Sequence, residues 1–171
     1  MEDGNLEIGE YEEGSIDEII AIETDSYPTP WSEAIFRSET TSPISRMLVG
    51  RTVGREGRRV AGYTVYWRVA DEIHLHNIAV RRDLRRMHVA SRMLAEAIRR
   101  ARLEGARWMT LEVRRSNLSA QIFYQQFGFT LRGVRLGYYS DTREDALIMW
   151  ADLHMIRDGQ NETVAGEGSD A

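Results

Sequence analysis

Cysteine is absent from this chain, and so is lysine, because its 22 strongly basic residues are all arginine. The lack of cysteine excludes disulfide bonds, thiolate metal sites and a cysteine nucleophile. Long apolar runs are missing too, since none approaches the ~18 residues that a membrane-spanning helix needs. The acidic N-terminus is unlike a signal peptide, which carries positive charge. We therefore expect a cytoplasmic protein that does not enter a membrane.

Length and charge indicate one domain with a basic body between two acidic ends. At 171 residues the chain is long enough to bury one hydrophobic core. We assign residues 1–154 to that domain and expect the polar, acidic segment 155–171 to be a disordered tail. The net charge of −5 is unevenly spread, with −8 over residues 1–18, −3 over 155–171 and +6 between them. This distribution favours an anionic cofactor over DNA, which usually contacts a more strongly basic face.

Apolar periodicity predicts alternating strands and helices. Ser15–Glu18 matches a capping box that opens a first helix, with Ile16, Ile19, Ile20 and Ala21 facing inward. The other predicted elements are helices at Trp31–Glu39, at Val89–Glu104 and from a cap at Ser116 or Asn117 to Phe127, and strands at Leu6–Tyr11, Ser45–Gly50, Val60–Val69, Glu72–Val80, Arg107–Val113, Phe129–Leu136 and Ala146–Leu153, with a loop at Gly137–Asp145. The pattern indicates an α/β (α+β) protein with a mixed sheet of six or seven strands flanked by about four helices.

The stretch from Glu72 to Leu94 is the most informative part of the sequence. An alternating strand ends at Val80, five arginines follow between Arg81 and Arg92, and an amphipathic helix begins almost at once. The N-terminus of a helix carries roughly half a positive charge and unpaired backbone N–H groups, which suit a phosphate. The pattern is that of a polyphosphate cradle, with a solvated basic turn as the plainer alternative.

Short motifs in a particular order carry a resemblance to a known family. They are Asn77–Val80; Leu111–Arg114 with Ser116 and Asn117; Phe123 and Tyr124 with Phe127–Phe129; Arg135 with Tyr138 and Tyr139; and Arg143–Ala146. From Tyr27 to Leu153 the chain resembles the GCN5-related N-acetyltransferase (GNAT) superfamily and, within it, the RimI-type ribosomal-protein alanine N-acetyltransferases. The resemblance implies a GNAT fold whose splayed strands form an acyl-CoA cleft. It also implies acetyl transfer from acetyl-CoA, by direct attack in a ternary complex, to the N-terminal α-amine of a protein, in this branch the alanine of a small-subunit ribosomal protein.

One position departs from the family pattern. The family's acyl-CoA loop reads Arg/Gln-x-x-Gly-x-Gly/Ala, whereas Arg85–Ala90 of this chain has His88 in place of the first glycine. A glycine lets backbone N–H groups approach a pyrophosphate without a Cβ in the way. An imidazole there would crowd the phosphates or, as an imidazolium, pair with them. We expect weakened cofactor binding rather than none.

The resemblance places the cofactor along the end of one strand and the loop that follows it. The strand end would offer N–H groups to the thioester carbonyl and the pantetheine arm, while the side chains of Ile78 and Val80 are equally well explained as core. Asn117 is expected to cap its helix as well. The implied cofactor-binding residues are Ile78, Ala79, Val80, Arg85, Arg86, His88, Val89, Ala90, Ser91, Asn117 and Tyr124.

Glu112 and Tyr124 are the catalytic residues that the resemblance implies. Glu112 lies on the polar side of its predicted strand and would act as general base, directly or through a water, toward an α-amine whose pKa is ~8. Tyr124 would protonate the departing thiolate. The alternatives are a surface Glu112 paired with Arg114 or Arg107, and a Tyr124 that packs in the core beside Phe123.

Residues on two segments, all but one of them aromatic, are expected to hold the acceptor peptide. They are Tyr27 and Trp31 before the second helix, and Arg135, Tyr138 and Tyr139 toward the C-terminal end. Aromatic walls with a few donors suit an extended N-terminus. The alternative is that Trp31 and Tyr138 only hold loops in place.

A metal site is the other chemistry that the sequence suggests. Glu72, His74 and His76 share one face of a predicted strand. At ~3.3 Å per residue, Glu72 and His76 lie roughly 13 Å apart, so the three side chains cannot converge on one ion. We expect no metal here and a polar, partly exposed strand face.

Two other functions stay open. One is an acetyltransferase for a small amine, such as an antibiotic or a polyamine, which would favour an acidic acceptor pocket. The other is a weakly active acyl-CoA-binding regulatory module, which His88 allows and which the pairing of Glu112 with Tyr124 opposes. Neither nucleic acid nor a membrane is an expected partner, and the sequence does not indicate an oligomeric state.

Overall fold

Seven strands in one sheet and four helices make up the described part of the chain. The structure is a computed structural model that describes residues 5–54 and 57–156. The elements are β1 (Asn5–Glu10), α1 (Ile16–Ser26), α2 (Glu33–Thr41), β2 (Ser45–Gly54), β3 (Gly57–Val69), β4 (Glu72–Val80), α3 (Val89–Leu103), β5 (Trp108–Arg114), α4 (Leu118–Gln126), β6 (Thr130–Tyr139) and β7 (Glu144–Asp152). The strand order is β1-β2-β3-β4-β5-β7-β6, in which β4 and β5 are parallel and all other neighbours antiparallel. The predicted mixed sheet is confirmed.

β4 and β5 are parallel because α3 carries the chain back across the sheet between them. They pair over four residues, from Glu72 opposite Trp108 to Leu75 opposite Leu111. β4 then continues beside β3, and β5 continues beside β7, with no further pairs between β4 and β5 in the described chain. The two strands therefore part in mid-sheet and leave a notch, which confirms the splayed strands that the resemblance implied.

Helices cover both faces of the sheet. α3 buries the predicted apolar stripe against β2, β3 and β4, with Ala90 half-buried at its start and Met93, Leu94, Ala97, Ile98 and Ala101 buried beyond it. α1 and α2 cover the opposite face, where Ile19 and Phe36 pack against β2 and β3. The sheet is thus fixed from both sides, and the notch opens between the two helical layers.

α1 begins where the sequence predicts, although not by the predicted means. Ser15 makes no capping hydrogen bond, and its hydroxyl accepts a bond from Arg51 Nη2 (3.0 Å) instead. Glu18, the other half of the predicted capping box, accepts the backbone N–H of Val60 (3.0 Å). The capping-box prediction is wrong, because both side chains bind the strands beneath the helix.

Two other helices start at side-chain caps. The Asn117 side chain accepts the N–H of Ala120 (3.1 Å), which confirms the predicted cap of α4. Ser32 accepts the N–H of Ile35 (3.4 Å), so α2 begins at Glu33 and not at Trp31. Trp31 therefore lies in the segment between α1 and α2, where it faces the sheet.

The last two strands are longer than predicted, and their connection is shorter. Tyr139 at the end of β6 pairs with Glu144 at the start of β7, so the predicted loop Gly137–Asp145 is reduced to residues 140–143. The pairing shifts register between Arg135 and Tyr139, and Gly137 in that stretch has a φ of 59°. A bulged strand loses the regular alternation on which strand prediction depends.

The predicted division into a domain at 1–154 and a tail at 155–171 stays a prediction. Residues 1–4 and 157–171 lie outside the described residues. Within the described ranges, no helix is both long enough and apolar enough to cross a membrane.

Candidate active site

The notch between β4 and β5 opens into a cleft of about 870 Å³. Its walls are the segment between α1 and α2, the outer half of β4, the end of β5 with α4, and the β6–β7 connection. The residues that line the cleft include Tyr27, Trp31, His76, Ile78, Glu112, Asn117, Tyr124, Tyr138, Tyr139 and Asp141. Both catalytic candidates and four of the five acceptor candidates therefore meet in one cavity; Arg135 alone does not line it.

The outer half of β4 turns a row of backbone groups toward the cleft. The carbonyl of Ile78 accepts the Tyr27 hydroxyl (2.8 Å), and the carbonyl of Val80 accepts Arg85 Nε (3.1 Å). In an antiparallel ladder the N–H and C=O of one residue point to the same side. The N–H groups of Ile78 and Val80 therefore point away from β3, toward the cleft, where they can bind a carbonyl oxygen of a ligand.

A second groove, of about 410 Å³, lies at the N-terminus of α3. It is lined by Val80, Leu84, Arg85, Arg86, His88, Val89, Ala90, Ser91 and Phe123. Arg86 makes no hydrogen bond or ion pair with any described residue, whereas Arg85 reaches back to Asp25 (3.1 Å) and Ser26 (3.0 Å). The groove brings the predicted loop residues together, although Arg85 is held by the end of α1.

His88 has a backbone conformation that favours glycine. Its φ is 57°, and it precedes α3 as an N-cap whose side chain makes no capping bond. A left-handed conformation costs a non-glycine residue roughly 1–2 kcal/mol. The family glycine is therefore explained by backbone geometry at this position as well as by space for a phosphate.

Glu112 is held by side chains of β6, which lies on the far side of β7 in the sheet. Its carboxylate accepts a hydrogen bond from Arg135, whose guanidinium lies 4.9 Å from the Tyr138 ring. A hydrogen bond from the Tyr138 hydroxyl to Glu112 is the main reason why the pKa of Tyr138 is raised. The predicted alternative of a pair with Arg114 or Arg107 is wrong, because Arg114 binds Asp141 (2.7 Å) and Arg107 binds Asp152 (3.4 Å).

Tyr124 reaches the cleft from α4. Its ring packs against Phe123 (5.2 Å between centroids) and Phe129 (5.7 Å), so Tyr124 does contribute to the core. The ring also lines the cleft, and its hydroxyl has no hydrogen-bond partner among the described residues. Burial raises the pKa of this phenol, so it keeps its proton and can donate it.

The acceptor side of the cleft is closed by contacts between distant segments. Thr29 donates a hydrogen bond to Asp141 (3.2 Å), which joins the α1–α2 segment to the β6–β7 connection. Arg114 holds Asp141 in place and lies 3.9 Å from the centre of the Tyr139 ring. The Tyr27 hydroxyl is bound to β4, so this residue contributes its ring rather than its hydroxyl to the cleft wall.

Glu23 is a buried site residue that the sequence analysis missed. α1 turns Ile22 and Glu23 inward and leaves Ala21, predicted to face inward, exposed. Glu23 is 1% exposed, and its carboxylate accepts hydrogen bonds from the N–H of Trp31 (2.7 Å), from Asn77 Nδ2 (3.1 Å) and from the Tyr63 hydroxyl. It thus ties the acceptor wall to β4. An acid seven residues after Ile16, on the same stripe, was the available signal.

The two histidines on the predicted polar face of β4 have different surroundings. His74 pairs with Glu72 (3.3 Å). His76 instead faces the cleft, between Trp67 (4.3 Å between ring centroids) and Trp31 (6.5 Å). Among residues 5–54 and 57–156, no group of three His, Asp or Glu side chains is placed to hold a metal ion.

Comparison with known proteins gives consistent matches over most of the chain. The sequence model of the Acetyltransferase (GNAT) family matches residues 16–129. The chain is 35% identical, over 81% of its length and 90% of the relative, to a Bacillus subtilis protein whose assignment as a ribosomal protein bS18-alanine N-acetyltransferase is itself provisional. It is 32% identical, over 78% of its length and 88% of the relative, to the Escherichia coli ribosomal protein bS18-alanine N-acetyltransferase. The crystal structure of the ribosomal-protein-S18-alanine N-acetyltransferase from E. coli aligns with a TM-score of 0.79 at 29% identity, covering 91% of this chain and 98% of that one.

The Glu23→Gln variant tests the buried carboxylate. The amide would turn an N–H group toward at least one of the three donors, so we expect the free energy of unfolding to fall by about 2 kcal/mol. Urea denaturation measures this change. The control is Glu33→Gln, which removes an exposed charge paired with Arg37 (2.7 Å) and should cost less than about 0.5 kcal/mol. Equal effects of the two variants would contradict the assignment.

Proposed function

The chain belongs to the acetyltransferase (GNAT) family, and from that membership we propose that it acetylates the N-terminal α-amine of a protein. The acceptor we propose is the alanine of a small-subunit ribosomal protein, the substrate named for the relatives in B. subtilis and E. coli. The observation that carries the proposal is the single cleft in which the free edge of β4, Glu112 and Tyr124 meet. Because ribosomal proteins are made in the cytoplasm, we place the reaction there.

The described residues fit acetyl-CoA. The N–H groups of Ile78 and Val80 suit the pantetheine arm and the thioester oxygen, and preorganised donors of this kind are typically worth ~3 kcal/mol of barrier. The groove at α3 suits the pyrophosphate, with Arg86 available to it and with backbone N–H groups at the helix start. Bound acetyl-CoA would supply the acetyl group as a thioester. No metal has a role in this scheme.

Two side chains move protons in the proposed reaction. Glu112 takes a proton from the acceptor ammonium, directly or through a water, and Arg135 orients its carboxylate. Tyr124 gives its proton to the departing sulfur, which requires the neutral phenol that burial maintains. We propose direct transfer within a ternary complex, as membership of the family implies; the chain has no cysteine that could carry an acyl group.

The character of the cleft favours a peptide over a small polyamine. The two carboxylates that line it, Glu112 and Asp141, are already paired with Arg135 and Arg114. The rest of the wall includes the aromatic rings of Trp31 and of Tyr138 and Tyr139, which meet edge to face. A polycation gains little from such a surface, whereas an extended N-terminus can lie along it.

The acceptor assignment is tested by acetyl transfer to a short peptide that begins Ala-Arg-Tyr. We expect kcat/KM for this peptide to exceed that for spermidine and for free lysine by at least about tenfold. Mass spectrometry should place the acetyl group on the α-amine. A preference for spermidine would support the small-amine alternative, and tight acetyl-CoA binding without transfer would support the regulatory module.

The catalytic assignments are tested by Glu112→Gln and Tyr124→Phe. Each variant should lower kcat for the peptide by about 10²-fold while leaving the KM for acetyl-CoA within about twofold, since each loses one proton transfer. Tyr66→Phe is the control, because Tyr66 is buried but does not line the cleft. Turnover within about twofold of wild type in both variants would show that the roles are wrong.

His88→Gly tests the departure in the loop. Glycine should relieve the left-handed strain, stabilise the fold by roughly 1 kcal/mol, and tighten acetyl-CoA binding. Calorimetry and thermal melting measure the two effects. Ala70→Gly is the matched control: Ala70 also has a positive φ (55°) but does not line either groove, so it should change stability alone. If His88→Gly binds acetyl-CoA no more tightly than wild type does, the crowding argument is wrong, and the wild-type imidazole instead pairs favourably with a phosphate.

A further inference from the structure

His76 stands at the point where β4 leaves β5. Leu75 and Leu111 form the last pair between the two strands, and both are buried in the core beneath the sheet. Successive side chains on a strand point to opposite faces. His76 and Glu112 therefore project together to the other face, at the apex of the notch, and both line the cleft.

The backbone at His76 is irregular in a way that aims its side chain. β3 pairs Val65 with Asn77 and then Tyr66 with Leu75, so His76 has no partner across the ladder and forms a β-bulge. Bulges are frequent beside active sites, where they re-aim a side chain. The contacts with Trp67 and Trp31 then hold the imidazole in that direction.

The surroundings of His76 favour a neutral imidazole that can accept a proton. The His76 side chain is exposed along the cleft wall, and partial loss of water around its ring lowers its pKa. The neighbouring His74 lowers this pKa further, while the carboxylates of Glu39 on α2 and Glu112 on β5 act in the opposite direction. The net shift is downward. Glu39 is itself engaged by the indole N–H of Trp67 (2.6 Å). At neutral pH the ring is therefore uncharged, and a carboxylate on the next strand is available to stabilise an imidazolium once it forms.

We propose that His76 is a second proton acceptor in the reaction, working beside Glu112 at the apex of the notch. The inference rests on the proposed function. An N–H bond of the acceptor ammonium breaks, its proton passes to an imidazole nitrogen of His76, and the electron pair stays on the amine, which can then attack the thioester. The nitrogen loses a second proton once it has bonded to the thioester carbon, and Glu112 accepts that one. The Glu112 carboxylate also stabilises the imidazolium before this second transfer, and the imidazolium releases its proton to solvent before the next turnover. The division of labour follows from the contacts of Glu112, whose carboxylate already accepts a hydrogen bond from Arg135 and raises the pKa of the nearby Tyr138.

The test is the pH dependence of His76→Gln with the Ala-Arg-Tyr peptide. At about pH 7 we expect kcat/KM to fall at least tenfold, because a positioned base typically contributes 10²–10⁴-fold and Glu112 remains. The deficit should shrink to less than about threefold near pH 9.5, where an amine of pKa ~8 is neutral without help. The KM for acetyl-CoA should stay within about twofold. His76→Asn, a smaller amide, should reproduce the pattern.

His74→Gln is the matched control, since His74 lies two residues away on the same strand face but pairs with Glu72 outside the cleft. Its kcat/KM should stay within about twofold of wild type at every pH. A His76→Gln deficit that is the same at all pH values would make His76 a wall residue and overturn the inference. A variant as active as wild type would overturn it too. A wild-type enzyme that acetylates no amine would overturn the proposed function, and this inference with it.

Discussion

The parting of β4 from β5 is the feature on which the site depends. A parallel pair surrounded by antiparallel neighbours exists here because α3 crosses over between its two strands. The pairing ends after Leu75 and Leu111. Beyond this point the two strands no longer form backbone hydrogen bonds with each other, so the edge that each strand turned toward the other now faces the cleft. The N–H groups of β4 and the side chains at the apex, Glu112 and His76, become available at the same place for this one reason.

Buried and paired charges then hold the walls at that opening. Glu23 fixes the segment of Trp31 to the side chain of Asn77, so the acceptor wall and the cofactor strand move together. On the other side, Arg135 positions Glu112, and Arg114 positions Asp141. Such contacts contribute little when exposed, but a buried carboxylate with three donors defines a single arrangement, because leaving any donor unpaired in the interior is costly.

Much of the fold follows from local pattern. The stripe of α3 was readable because its apolar spacing is regular. The capping box at Ser15 failed since Arg51 and Val60, both distant in sequence, bind the two capping side chains. The β6–β7 connection was overestimated because a bulge at Gly137 interrupts the alternation. In the site, the same limit applies: Glu23 and His76 look like an ordinary helix acid and a surface histidine until the partners on other elements are known.

The sequence by itself determined the class of fold, the order of its elements, the family it resembles and the residue types that the chemistry needs, because these depend on periodicity and on short motifs within one element. The tertiary structure alone decided which side chains pair. Arg135 rather than Arg114 binds Glu112, Arg85 turns to Asp25, and His88 adopts a left-handed backbone at the start of α3. These outcomes depend on the register of strands and on the meeting of segments far apart in the chain, and no local pattern encodes either.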